Sequence, residues 1–102
     1  LTLSNIISQY NRSSGIEAYA LGPVTFTNVR SYLNGIGTNG NGLMVNANDA
    51  YPIYFNYCSI IGNEGHGIWA NSHFSWLHFL GTSYYGNNTD NSLGDDDLFY
   101  IP

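Results

Sequence analysis

Apolar and polar positions alternate in short bursts along this chain, and the bursts repeat. Four eleven-residue blocks align without a gap: LTLSNIISQYN from Leu1, VTFTNVRSYLN from Val24, IYFNYCSIIGN from Ile53 and LHFLGTSYYGN from Leu77. Their first position is always aliphatic (Leu1, Val24, Ile53, Leu77), and their third reads Leu3, Phe26, Phe55, Phe79. The eleventh is asparagine each time: Asn11, Asn34, Asn63 and Asn87. A shorter glycine-led element recurs between blocks as GIEAYA from Gly15, GLMVNA from Gly42 and GIWANS from Gly67, with DDLFYI from Asp96 as a looser copy. Alternation with period two, opened by a turn residue, predicts a strand. Each repeat therefore predicts a turn, a short strand, a bend, a second strand and a third segment closing on Asn. No ten-residue window keeps helical spacing.

Block starts are separated by 23, 29 and 24 residues, a period near 25 with one insertion. A unit that small cannot bury its own apolar side, but stacked copies can. Parallel pairing between successive copies, about 4.8 Å apart, piles matching side chains into ladders. Leu3, Phe26, Phe55 and Phe79 are expected to form one internal column, with Leu1, Val24, Ile53 and Leu77 beside it. Cys58 aligns with Ile6, Val29 and Thr82 and is expected to be a buried small residue. The asparagines form their own column, because an amide both donates and accepts. Asn also tolerates the left-handed backbone of a sharp corner, so the corners are expected at this column.

The sequence G-[IL]-x-[AV], an apolar-x-Phe strand and a turn Asn, repeated over nearly the whole chain, resembles the right-handed parallel β-helix. That architecture is shared by pectate-lyase-like enzymes, phage tailspikes and bacterial surface β-helix proteins. The resemblance implies an all-β, right-handed, single-stranded parallel β-helix (a solenoid) of about four coils, residues 1–102 forming a segment of a longer solenoid. It says little about activity, since lyases, hydrolases, adhesins and stalks share the fold.

Composition narrows the function. Lys and Arg total 2 against 7 Asp and Glu, a net charge of -5, and both cations are arginines, Arg12 and Arg30. Nothing so acidic neutralises a phosphate backbone, which excludes nucleic acid as a partner. The longest apolar runs are a few residues, so no segment inserts into a membrane as a helix. Charged residues make up 9% of the chain against 43% hydrophobic, which argues for a packed core with Asn, Ser, Thr and Tyr at the surface. One cysteine, Cys58, forms no internal disulfide.

The turns vary in length, and solenoid function usually sits there. Between Asn34 and Gly42 lies GIGTNGN, expected to be flexible. After Asn87 comes NTDNSLGDDD, which holds Asp90, Asp95, Asp96 and Asp97 and is expected on the same edge. Those four carboxylates are the candidate metal ligands, for Ca²⁺; no other cofactor is expected. Words familiar from polygalacturonases occur, namely GHG at Gly65–Gly67, NTD at Asn88–Asp90 and DDD at Asp95–Asp97. That family orders them NTD, DD, GHG on successive coils, followed by a basic element. Here GHG comes first, the acidic words share one turn, and no lysine follows. Hydrolysis needs two carboxyls about 5 to 9.5 Å apart, yet the column above Glu17 continues with Met44 and Trp69. His66, His73 and His78 lack metal-ligand spacing. No catalytic residues are assigned.

Outward aromatic columns remain as the candidate ligand site. Met44 and Trp69, with Phe99 next in line, form one, and Tyr54 and His78 another; flat aromatic faces suit sugar rings. The expectation is a non-catalytic structural or adhesive segment of a larger extracellular or cell-surface protein, holding polysaccharide and stacking on adjacent β-helix coils or neighbouring subunits. The alternatives are a fragment of a carbohydrate-active enzyme, lyase or glycoside hydrolase, and the subunit of a self-assembling filament. The sequons at Asn11 and Asn87 fall in the Asn column and are expected to stay free of glycan.

Overall fold

A computed structural model describes residues 1–47, 51–71, 77–87 and 99–100. Ten strands occur among them: β1 (Thr2–Gln9), β2 (Ile16–Tyr19), β3 (Val24–Tyr32), β4 (Leu43–Asn46), β5 (Ile53–Asn56), β6 (Ser59–Ile61), β7 (Ile68–Asn71), β8 (Leu77–Leu80), β9 (Ser83–Tyr85) and β10 (Phe99–Tyr100). Every pairing is parallel. β1, β3, β5 and β8 stack in order, β6 and β9 continue from the far half of β3, and β2, β4, β7 and β10 form a second sheet. Four blocks enclose only three full windings. The all-β parallel solenoid expected above is thus borne out in class, with about three turns in place of four right-handed coils.

The register reproduces the block alignment residue for residue. Leu3 pairs with Phe26, Phe26 with Phe55 and Phe55 with Phe79. The Phe26 and Phe55 rings stack at 5.4 Å and 4°, and Phe55 and Phe79 at 5.0 Å and 11°. Val24, Ile53 and Leu77 run beside them, whereas Leu1 at the open side of the first coil is 56% exposed. Leu43 and Ile68 close the core from the second sheet, together with Val45 and Ala70. Each fully buried Phe or Ile is worth about 1.5–3 kcal/mol of transfer free energy, so no disulfide is needed to hold the coils.

The corners are not where the Asn column suggested. Left-handed φ occurs at Asn5, Asn28, Tyr57 and Gly81, the fifth position of each block, and at Tyr10, Leu33, Gly62 and Gly86, the tenth. The eleventh-position asparagines are not among them. A residue in this conformation reverses the inside–outside parity. In β3, Val24 and Phe26 are buried, Thr27 and Asn28 both face out, and Val29 and Ser31 are buried again. Positions 1, 3, 6 and 8 of a block therefore point inward, and each block bends across two faces. Tyr10, Leu33 and Tyr57 each bear a cost of roughly 1–2 kcal/mol that glycine avoids in the later coils.

What the asparagines do instead is tie the coils together. Asn34 Oδ1 accepts from Asn11 N (3.1 Å) and Asn11 Nδ2 (2.9 Å). Asn63 Oδ1 accepts from Asn34 N (3.0 Å) and Nδ2 (3.0 Å), and Asn87 Oδ1 accepts from Asn63 N (3.0 Å) and Nδ2 (2.9 Å). Each amide also donates to a strand carbonyl of the preceding coil: Asn34 to Ser8 O, Asn63 to Ser31 O and Asn87 to Ile60 O, all at 3.1 Å. Asn34 and Asn63 are wholly buried. The glycine opening each second-sheet strand leaves them room. A Cβ at Gly42 would lie 2.5 Å from Asn63 Nδ2, and one at Gly15 2.5 Å from Asn34 Nδ2.

Candidate functional site

With the core filled, the candidate chemistry sits on outward columns whose spacing the strand ladder sets. On the face built by β1, β3, β5 and β8, Thr2, Thr25, Tyr54 and His78 are in register. Tyr54 and His78 are exposed, and their rings lie parallel at 4.8 Å and 16°. That distance is the strand separation itself, so the backbone as well as local packing holds the two rings stacked in one column, an aromatic platform on this face. The neighbouring outward column is Ser4, Thr27, Asn56 and Leu80.

Met44 and Trp69 also share a column, with Glu17 before them, but in the second sheet. Both are half-buried. The structure therefore brings the four ligand candidates together as two pairs on different sheets with the core between them. One correction applies to the second column: β10 pairs Tyr100 with Trp69 and Phe99 with Ile68. Phe99 is thus in register with Ile68 rather than Trp69, and Tyr100 takes the position beside Trp69. Asp90, Asp95, Asp96 and Asp97 lie outside the described residues, as does His73.

Sequence reasoning passed over part of the platform's surroundings. Tyr57 is 61% exposed and Leu80 54% exposed. Tyr57 N donates to Leu80 O at 2.7 Å, which sets the corner beside the platform. The signal that identifies Tyr57 is its place at the fifth block position, where the chain turns left-handed and an otherwise inward residue faces out. An open depression of about 270 Å³ lies elsewhere, lined by Tyr19, Ala20, Leu21 and Asn46.

The remaining candidates are structural. Cys58 is buried, and its thiol lies 3.5 Å from both Phe26 O and Asn56 O. Burial pushes the thiol pKa up, partly opposed by hydrogen bonds involving the Val29 backbone, the Thr82 side chain and the Asn56 backbone. It is a protonated core residue rather than a nucleophile. Asn87, in the second sequon, is buried with its amide engaged; Asn11 is exposed, and its Nδ2 donates to Ser8 Oγ and Asn34 Oδ1.

The Gly35–Asn41 insertion is pinned rather than flexible. Gly35 N donates to Asn11 O (2.7 Å), Thr38 Oγ1 to Arg12 O, and Gly37 N to the Glu64 carboxylate. Gly65 N donates to Gly40 O (2.8 Å), His66 N to Asn41 Oδ1 (3.0 Å), and Asn41 N to Ser14 Oγ (3.2 Å). The loop is a bracket joining the turns on either side of it. Among the described residues, Glu17 and Glu64 are the only carboxylate side chains. Glu17 projects from β2 while Glu64 is committed to the bracket, so they do not converge on one bond. No family model, curated protein or solved structure matches the chain.

Proposed function

We propose that this solenoid is a non-catalytic structural or adhesive segment of an extracellular or cell-surface protein, and that its exposed aromatic platform holds polysaccharide. Kinship with pectate-lyase-like and bacterial surface β-helices belongs to the same reading. The observation that supports it is the Tyr54–His78 stack, two parallel rings exposed on the sheet and fixed at the strand spacing. A sugar ring presents apolar C–H groups on one face and hydroxyls around its edge. Aromatic planes receive the first, and the Thr25, Thr27 and Asn56 side chains of the same face are placed to meet the second. Rigidity adds to binding, because a platform already ordered loses little entropy when a chain settles on it.

The test is a titration with pectin-type, alginate-type and host-glycan oligosaccharides, followed by NMR and calorimetry. Binding by one class, lost in Tyr54→Ala and in His78→Ala while the fold persists, is the expected result. Product release abolished by Asp95→Ala or Asp97→Ala would instead make the chain part of an enzyme. Concentration-dependent polymers seen by light scattering would make it a filament subunit.

A further inference from the structure

Successive coils are joined by ladders that run one way, and their polarity decides what fits on the side where β1 and β2 lie. Among the described strands, β1 pairs with β3 alone and β2 with β4 alone. The outer edge of β1 therefore leaves backbone N–H and C=O groups open along an eight-residue strand. Folded proteins usually blunt such an edge with charge or proline, and TLSNIISQ holds neither.

The core is open on the same side. Phe26, Val29 and Leu43 are wholly buried, whereas Leu3, Ile6 and Ile16, their partners one coil earlier, are only half-buried. The side-chain ladders stop at the same level. Asn34 Oδ1 and Asn63 Oδ1 each accept from the backbone N and the Nδ2 of the preceding coil's asparagine. Asn11 has its Nδ2 engaged, but its Oδ1 accepts from no group among the described residues. A second ladder runs the opposite way: Asn28 Nδ2 donates to Asn5 Oδ1 at 2.9 Å, and Asn5 Nδ2 has no acceptor among the described residues.

We infer that this side is an interaction surface for a further β-solenoid coil, laid parallel to β1 and in register with it, whose block carries Asn at its eleventh position. Such a coil answers every open group together. Its strand completes the β1 edge at about 4.8 Å, and its apolar first, third and sixth positions cover Leu1, Leu3 and Ile6. Its asparagine N and Nδ2 enter Asn11 Oδ1 as those of Asn11 enter Asn34 Oδ1, and an acceptor at its fifth position receives Asn5 Nδ2. A sugar or a helix supplies no such row of parallel backbone groups. A second copy of the chain sets a net charge of -5 against another of -5, which opposes association. A coil like residues 1–23 does not, because its charged side chains are Arg12 and Glu17, which cancel. The inference deepens the structural part of the proposed function and does not depend on the aromatic platform.

The experiment fuses a duplicate of residues 1–23 ahead of Leu1 of the full chain and follows amide hydrogen exchange by NMR, with a scrambled extension of the same composition as control. The outer-edge amides of β1 should exchange about tenfold more slowly, or slower still, beneath the duplicate than beneath the scrambled extension. Chemical shifts of β3–β9 should show the fold intact in both. Asn11→Ala made in the duplicate alone should forfeit most of the gain. Equal β1 exchange under the two extensions overturns the inference, and so does a gain that survives Asn11→Ala in full. Dimers or polymers of the unextended chain at the same concentration place a second copy on this side and overturn it as well. Exchange at β1 is read without any sugar, so loss of polysaccharide binding and loss of coil docking are separate results.

Discussion

Replacing Asn63 by alanine removes the middle rung of the amide ladder and allows the loss to be worked out bond by bond. The side chain accepts from Asn34 N and Asn34 Nδ2 and donates to Ser31 O and Asn87 Oδ1, at 2.9–3.1 Å. Four bonds at a net ~0.5–1.5 kcal/mol each bracket the effect, and a buried donor left without a partner costs about 1–3 kcal/mol. Asn34 Nδ2 keeps Ser8 O and Ser31 Oγ, and Asn87 Oδ1 keeps the backbone N of residue 63. Asn34 N keeps nothing. One orphaned donor plus partial losses elsewhere gives about 4 kcal/mol, a large share of the ~5–15 kcal/mol that holds a domain of this size. Urea unfolding should show a lower midpoint with an unchanged slope, and Tm should fall by roughly 15–30 °C. Asn11→Ala is the internal control, with the same chemistry at the exposed rung and an expected cost under about 1.5 kcal/mol. Equal costs for the two variants would refute the claim that burial makes the ladder strong.

Three further outcomes are expected. Gly42→Ala should destabilise by several kcal/mol, since its Cβ would meet Asn63 Nδ2 at 2.5 Å and Gly67 O at 2.6 Å, whereas Gly22→Ala, with nothing within 4 Å, should be near neutral in thermal melts. Phe55→Ala should cost about 3–5 kcal/mol through the lost stacks and the cavity, while Tyr54→Ala, one residue away but exposed, should stay within about 0.5 kcal/mol; equal midpoints in urea would contradict the assigned parity. Cys58 should resist thiol reagents until the chain unfolds. Because its folded pKa is raised, the unfolded thiol ionises first, so its contribution to stability is complete below the unfolded pKa and declines as pH rises above it. Cys58→Ser should flatten that alkaline decline in a pH series of urea midpoints.

The stacking columns were legible because a solenoid places like residues on like. Aligning four Phe-or-Leu positions and four asparagines in one dimension already lists the neighbours in three. The corners were not legible. Tyr10, Leu33 and Tyr57 have no preference for left-handed φ, and only neighbouring coils that hold the same bend with Asn or Gly impose it on them. Without the corners, strict alternation fails after four residues, which is why Tyr57 escaped notice. The insertion misled for a related reason. Three glycines read as freedom, but the groups that restrain the loop, at Arg12, Ser14 and Glu64, lie about one coil away along the chain. Phe99 slipped by one position because a long polar stretch separates its strand from the aligned blocks, leaving no apolar marker to count from.

The amide ladder also has a consequence for how such a chain can change. Successive rungs are 23, 29 and 24 residues apart, yet the bonds across those intervals are nearly identical. Registration is thus read at a single indexed residue per coil, and the tally of residues between two indices is irrelevant to it. A turn can be lengthened, shortened or exchanged between coils while the next asparagine resets the count. Stability and surface are thereby uncoupled, and the outer loops are free to diverge at a rate the interior could not survive.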